Sequence, residues 1–223
     1  MKLSDLIPEY QKTIPYTYEA VACPAYEQLI AVFLSGHHPS LQPRFIHMSG
    51  IPGSGKSTFY HQHDWGDTLI LDFDRVMEAI PDYRQDLEKM GSSLAFKKWE
   101  IPARVIGYEL LCRAVSLSLN IFFDHGGIDQ THIDLMKNIK KYNYTTEMYH
   151  ISCDFETAIR RTITREHVTR RHTPRELICQ RAALLDKFLK EYQKIIDTIY
   201  YYDSTSGDYI LTGTSKQNLV KSA

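Results

Sequence analysis

The chain has 223 residues, 43% hydrophobic and 24% charged, with a formal net charge of −1. That is enough chain for one substantial core, and so balanced a charge excludes a global attraction to nucleic acid or to an anionic membrane. Cys23, Cys112, Cys153 and Cys179 are scattered without a C-x-x-C pair, which predicts reduced thiols and argues against a disulfide framework or a zinc site. The N-terminus lacks the apolar core of a signal peptide and no apolar run reaches membrane-span length, so the expectation is a cytoplasmic protein with no membrane partner. Export as an effector, by a machine that reads other signals, is left open by this reading.

Residues 1–43 are punctuated by Pro8, Pro15, Pro24, Pro39 and Pro43, and Pro24 to Leu34 has helical apolar spacing. They are read as an N-terminal helical cap packed on the sheet of a single kinase-sized domain, 44–223. A first strand is predicted over 44–49. Gly50-Ile51-Pro52-Gly53-Ser54-Gly55-Lys56-Ser57 follows at once, then Thr58 and a helix. This is G-x-x-x-x-G-K-[ST], the phosphate-binding P-loop, in its proper strand–loop–helix context. Gly50, Gly53 and Gly55 let the backbone curl so that N–H groups converge on an anion. Lys56 can reach the β- and γ-phosphates, and Ser57 offers a hydroxyl to Mg²⁺. The ligand expected here is ATP with Mg²⁺.

Thr68 to Asp72 reads as a second, doubly covered strand, with a short helix from Asp74 to Ile80 stopped by Pro81. Asp72 and Asp74 lie at the carboxyl end of that strand, suited either to hold Mg²⁺ or to take a proton from a substrate hydroxyl. A helix is predicted over Lys97–Leu119 with Pro102 near its start, then a third strand over 119–124. Asp124 ends the apolar run Ile121-Phe122-Phe123 in the manner of a Walker B carboxylate, the metal partner of Ser57. His125 beside it is a candidate acceptor contact. A helix over 129–141, a strand over 145–152 and a helix over 154–168 follow. Thr173 is expected to cap a helix running to about Thr198, with Pro174 in its first position and Glu176 three after the cap. Ile199–Asp203 and Tyr209–Thr212 complete the pattern as a strand or hairpin. The βαβα alternation predicts a three-layer α/β P-loop NTPase fold with a central, mostly parallel sheet, its site at the carboxyl ends of the strands.

Arginines gather at 160, 161, 165, 170, 171 and 175. Phosphoryl transfer spreads negative charge over equatorial oxygens, which an arginine-rich helical lid can neutralise. A nucleic-acid surface would use such a cluster too, but the aromatic interleaving is missing from 160–175.

The P-loop, Ile70-Leu-Asp-Phe-Asp-Arg75, a late strand ending in a carboxylate, and Arg171-His-Thr-Pro174 together resemble the zeta toxin family of small-molecule kinases, from about Pro43 to about Tyr202. The resemblance implies that Asp74 is the general base, that Arg75 and Glu109 lie against the substrate, and that Arg171, with Arg161 or Arg165, meets the transferring phosphate. It also implies a protein inhibitor if the chain is a toxin. The family's strand end resembles E-G-T, where this chain has Asp124-His-Gly126, so the family substrate, UDP-N-acetylglucosamine, does not transfer automatically. The expected activity is ATP- and Mg²⁺-dependent phosphorylation of a small-molecule hydroxyl, on a sugar nucleotide or another nucleotide. The alternatives are a polynucleotide end kinase and a nucleotide-dependent switch or binding module.

Overall fold

The computed structural model describes residues 1–169 and 173–217. Its sheet has six strands: β1 (Arg44–Ser49), β2 (Leu69–Asp72), β3 (Ile121–Asp124), β4 (Thr145–Ser152), β5 (Thr198–Asp203) and β6 (Ile210–Lys216). Their order is β2-β3-β1-β4-β5-β6, and every pairing is parallel except the β5–β6 hairpin. β3 therefore stands between β1 and β2. The register sets Met48 beside Asp124 and Asp124 beside Asp72, so the two carboxylates end their strands on one level.

Period-two alternation builds two cores from strands buried on both faces. Phe45, Leu69, Leu71, Ile121, Phe123 and Met148 face the larger core, while Ile46, Met48, Phe122 and Ile151 face the smaller one. Phe59 of α3 (Lys56–Gln62) fills the second core, fully buried among the rings of His63, Trp65, Tyr149, Tyr202 and Tyr209.

On the larger core lie α4 (Phe73–Ala79), α5 (Pro81–Met90), α6 (Ser92–Ser116), α7 (Gln130–Ile139) and α9 (Arg175–Tyr192), while α8 (Phe155–Thr169) packs beside the phosphate loop. Pro81 does end α4, but it also opens α5, which was not expected; in this polar segment only Tyr83, Leu87 and Met90 mark a helical apolar spacing. Asp86 holds α5 to α6, accepting from Lys98 Nζ at 2.6 Å and from Trp99 Nε1 at 2.8 Å. α6 begins five residues before the predicted start, which leaves Pro102 in its interior. Buried Ala95 and Trp99 explain the early start.

The predicted cap of α9 is corrected. Pro174 itself holds the cap position with extended ψ, and the Thr173 hydroxyl instead accepts from Arg165 Nη2 at 2.8 Å. The helix also stops at Tyr192 rather than near Thr198. Asp197 there accepts from the Thr146 N–H, the Thr146 hydroxyl and Lys140 Nζ, and this fixes the entry to β5.

Two helices lie in the N-terminal segment, α1 (Leu3–Leu6) and α2 (Pro24–Leu34), and their contacts run to α6 and α7 in the helical layer. Leu6, Ile7, Ile14 and Ile30 are buried there. Arg113 on α6 forks onto Glu27 of α2 at 2.7 and 2.8 Å, and the Tyr18 hydroxyl donates to the same carboxylate. Among the described residues no helix is long and apolar enough to cross a membrane.

Candidate nucleotide and acceptor site

The loop from Gly50 to Gly55 leaves β1 with all three of its glycines at positive φ, 150° for Gly50, 84° for Gly53 and 89° for Gly55. Space forbids side chains as well as torsion does. A Cβ on Gly53 would strike the Ala158 carbonyl of α8, and one on Gly55 would come within 2.7 Å of the Tyr209 hydroxyl.

Three consecutive loop carbonyls are held from outside by groups far along the chain. Arg161 Nη1 reaches the Gly53 carbonyl at 3.5 Å, the Ser204 hydroxyl donates to the Ser54 carbonyl at 2.7 Å, and the Tyr209 hydroxyl donates to the Gly55 carbonyl at 2.6 Å. In a planar trans peptide the next N–H points the opposite way. Holding the carbonyls of Ser54 and Gly55 outward thus aims the N–H groups of Gly55 and Lys56 inward. The Ser54 hydroxyl is buried in the loop and makes no hydrogen bond.

Lys56 lies back on its own loop, donating to the carbonyls of Gly50 at 2.7 Å and Ile51 at 3.1 Å. Burial lowers its pKa to about 8, against the opposing pull of Asp124 and with help from Arg165 and Arg181. It remains mostly an ammonium at neutral pH. Ser57 and Thr58 are exposed at the start of α3.

Asp72, Asp74 and Asp124 are brought together at the ends of β2 and β3. Burial raises the pKa of Asp124, with Lys56 lowering it and Asp74 raising it. Burial, then the charge of Asp124, pushes Asp72 up to about 6. Asp72 also caps α4, accepting from the Asp74 N–H at 2.9 Å, so of the two it is the structural one. Asp74 is half-buried on the first turn of α4. Arg75 is exposed and points to the Tyr60 hydroxyl of α3, 3.4 Å away.

Several expected site residues are engaged elsewhere. Glu109, expected against the substrate, accepts from Arg113 Nε at 2.8 Å and belongs to the ion-pair group that fastens α2 to α6. Arg161 donates to the Ser204 carbonyl at 2.6 Å and the Ser204 hydroxyl at 3.0 Å, so it braces the loop from behind. Arg175 pairs with Glu156 and Arg160 donates to the Thr157 hydroxyl. Arg165 is tied to Thr173, yet its charge is felt at Lys56. Arg170 and Arg171 lie outside the described residues.

The His125 ring turns inward, 3.8 Å from the His132 ring and stacked on Phe123. With His47 these rings form a buried group in which His47 Nε2, His125 Nδ1 and both His132 nitrogens make no hydrogen bond. Burial holds the pKa of His47 near 3 and of His132 near 4, and that of His125 well below its usual value.

Arg181 was not expected. It sits on α9 with its guanidinium beside Gly126, where a Cβ would lie 3.7 Å from Nη1. One signal could have found it: Ile178, Leu185 and Tyr192 form a buried helical stripe, and Arg181 falls within it.

The residues fit ATP and a magnesium ion. The loop is a side-chain-free cradle with a buried hydroxyl awaiting a partner, and its lysine rests on neutral carbonyls. Among the described residues no three His, Cys, Asp or Glu side chains converge as a metal cage. Mg²⁺ needs none, since it binds through one or two protein ligands, phosphates and water.

Known proteins were compared with this chain in three ways. A family model described as zeta toxin matches residues 31–209. A search of the curated proteins found no match. A solved chain from a study of the PezAT chromosomal toxin–antitoxin system of the human pathogen Streptococcus pneumoniae is similar with a TM-score of 0.67 at 19% identity, over 88% of this chain and 82% of that one. The AvrRxo1-ORF1:-ORF2 complex gives 0.55 at 12% identity in its native form, over 86% of this chain and 68% of that one. The structure of that complex with ATP gives 0.52 at 12%, over 93% and 67%. At such identities the structures speak for the fold. The family match, which takes in the phosphate loop, the strand-end carboxylates and α8, speaks for descent: the chain belongs to the zeta toxin family and is a P-loop kinase of that type.

Proposed function

We propose that this chain transfers the γ-phosphoryl group of ATP to a hydroxyl of a small molecule, a sugar nucleotide or another nucleotide. The observation that carries the reading is the meeting of Lys56 with Asp124, Asp72 and Asp74 at the ends of three adjacent strands. A nucleotide switch without an acceptor would give no reason for Asp74 beside the phosphates.

Gly50 to Thr58 would hold the triphosphate, with Ser57 and Asp124 as the protein ligands of Mg²⁺. When bound, ATP–Mg²⁺ supplies the phosphoryl group and neutralises part of its charge. Lys56 Nζ exchanges two neutral carbonyls for phosphate oxygens. Asp74, on the first turn of α4, takes the proton of the acceptor hydroxyl at its carboxylate. Asp72 orients Asp74 by accepting its backbone N–H. Arg165 adds positive charge near Lys56, and Arg171 is retained as a phosphate contact on the family resemblance alone.

The PezAT chain comes from a toxin–antitoxin system, and the AvrRxo1 structures are two-chain complexes. On that ground a protein inhibitor that covers the phosphate loop is proposed for this chain too. The test is ATP consumption with Mg²⁺ across sugar nucleotides, dinucleotides and oligonucleotides, with Lys56→Ala as the blank. One acceptor should stimulate turnover and gain a phosphate by mass. Oligonucleotides as the sole acceptors would replace this reading with an end kinase. ATP binding without any acceptor would favour a switch.

A further inference from the structure

We propose that His150 is a positioning residue for nucleotide binding: through the buried hydroxyl of Ser49 it holds the root of the phosphate loop while Lys56 is engaged with phosphate. The role rests on the ATP–Mg²⁺ reading above, in which Lys56 exchanges loop carbonyls for phosphate oxygens.

Ser49 is the last residue of β1, and His150 is its register partner on β4. Ser49 is fully buried, with its hydroxyl 3.2 Å from His150 Nδ1. Burial holds the His150 pKa at about 4, with Asp186 of α9 pulling it up and Lys56 pushing it down. The ring is therefore uncharged at neutral pH, and Nδ1 can accept from the hydroxyl. The residue after His150 meets the loop itself, since a Cβ on Gly50 would strike the Ile151 carbonyl. On the other side Ser49 is closed in by Gly127, where a Cβ would lie 3.5 Å from the hydroxyl oxygen and 3.0 Å from His47 Nε2. Ser49 is thus wedged between the chain beyond β3 and the end of β4, with His150 as the partner of its hydroxyl.

The other ties act further along the loop or do not outlast the nucleotide. Arg161, Ser204 and Tyr209 hold the carbonyls of Gly53, Ser54 and Gly55. At the root, Lys56 Nζ holds those of Gly50 and Ile51. That grip is the one that phosphate takes away. When Lys56 turns to the nucleotide, the contact between Ser49 and His150 still fixes the residue before Gly50. Its loss therefore costs the bound state more than the free one, whereas a packing role would cost both alike.

The experiment is a calorimetric titration with a non-hydrolysable ATP analogue in the presence of Mg²⁺. It compares the wild type with Ser49→Ala, His150→Leu, His150→Asn and the double variant Ser49→Ala/His150→Leu. His150→Leu keeps bulk without a polar atom, and Ser49→Ala removes the hydroxyl. Each should bind the analogue about fivefold more weakly, as loss of one hydrogen bond implies. The double variant should be no weaker than either, because both changes remove the same contact. His150→Asn, whose amide stands where Nδ1 does, should bind within about twofold of wild type although it fills less space. The reverse order, with Leu retained and Asn weakened, would show a packing role and overturn the proposal. Equal affinities throughout, or additive losses in the double variant, would overturn it as well. With any acceptor found in the turnover assay, His150→Leu should raise the KM for ATP about fivefold at near-constant kcat, and a fall in kcat at constant KM would refute the positioning role. A wild type that binds no analogue would sink the nucleotide reading and this proposal together, whereas binding indifferent to His150 would sink the proposal alone.

Discussion

Asp72 and Asp124 are register partners on β2 and β3, and the charge of Asp124 is the second cause, after burial, of the raised pKa of Asp72. The two carboxylates repel, but only one of them has a chemical assignment. Asp72→Asn keeps an oxygen to cap α4 and removes the repulsion. Turnover should stay within about threefold of wild type. Asp74→Asn should lower kcat by about a thousandfold and leave ATP affinity unchanged, the usual scale for losing a general base. Paired kinetics and nucleotide titration read both. Comparable losses from the two variants would mean that the base has been placed on the wrong aspartate.

Stability should fall steeply in mild acid. His47 near 3, His132 near 4 and His150 near 4 are all held by burial below the unfolded value of about 6.5. Between those limits the unfolded chain binds more protons, so the stability they contribute is complete above about pH 6.5 and drains as pH falls toward 4. Each buried group adds about 1.4 kcal/mol per pH unit within its window. Asp72, raised to about 6, acts in the opposite sense, favouring the folded state as pH drops from 6 toward 4. It is outnumbered. Urea midpoints measured from pH 8 to pH 4 should drop mainly between 6.5 and 4.5, and a flat profile would mean that these rings are solvated.

Tyr209→Phe removes the donor to the Gly55 carbonyl and the hydrogen bond between the Tyr209 hydroxyl and the Thr58 side chain. One such hydrogen bond is worth about 1 kcal/mol, so ATP affinity should fall about fivefold while the apo fold survives. Arg161→Gln, which loses the contacts to Gly53 and Ser204, should behave in the same direction. An Arg161 that acted in transfer would show a drop in kcat at unchanged ATP affinity.

Gly53→Ala should be worse than either. The methyl meets the Ala158 carbonyl backbone, and φ at 84° is strained for any L side chain. A cost of about 1–3 kcal/mol from the torsion alone, before α8 moves, predicts a lower Tm together with loss of ATP binding.

The strands, the phosphate loop and the strand-end carboxylates were legible because each rests on local rules: apolar runs of strand length, glycines at required torsions, and carboxylates where such runs stop. β4 came out at its observed limits. α5 was passed over because its apolar spacing, Tyr83, Leu87 and Met90, is sparse among charged residues, and the tie of Asp86 to Lys98 and Trp99 that docks it on α6 is not readable from the sequence. Glu109 was singled out by the family resemblance, and its partner Arg113, one turn along α6, was not read from the sequence. Arginine density near 160–175 drew attention to a lid, whereas Arg161 and Arg175 turned out to serve as braces. Arg181, outside the cluster, was hidden by its apolar neighbours.

The carbonyls of Ser54 and Gly55 are held by Ser204 and Tyr209, which lie in the turn of the β5–β6 hairpin. That turn hangs from a ladder whose outer strand is largely exposed, with Ile210 and Leu211 both more than half open to solvent. Edge hairpins fray before cores do. Amide exchange at Gly55 and Lys56 should therefore keep time with exchange in β6, so that the nucleotide loop breathes at the rhythm of the sheet's last strand rather than of its own.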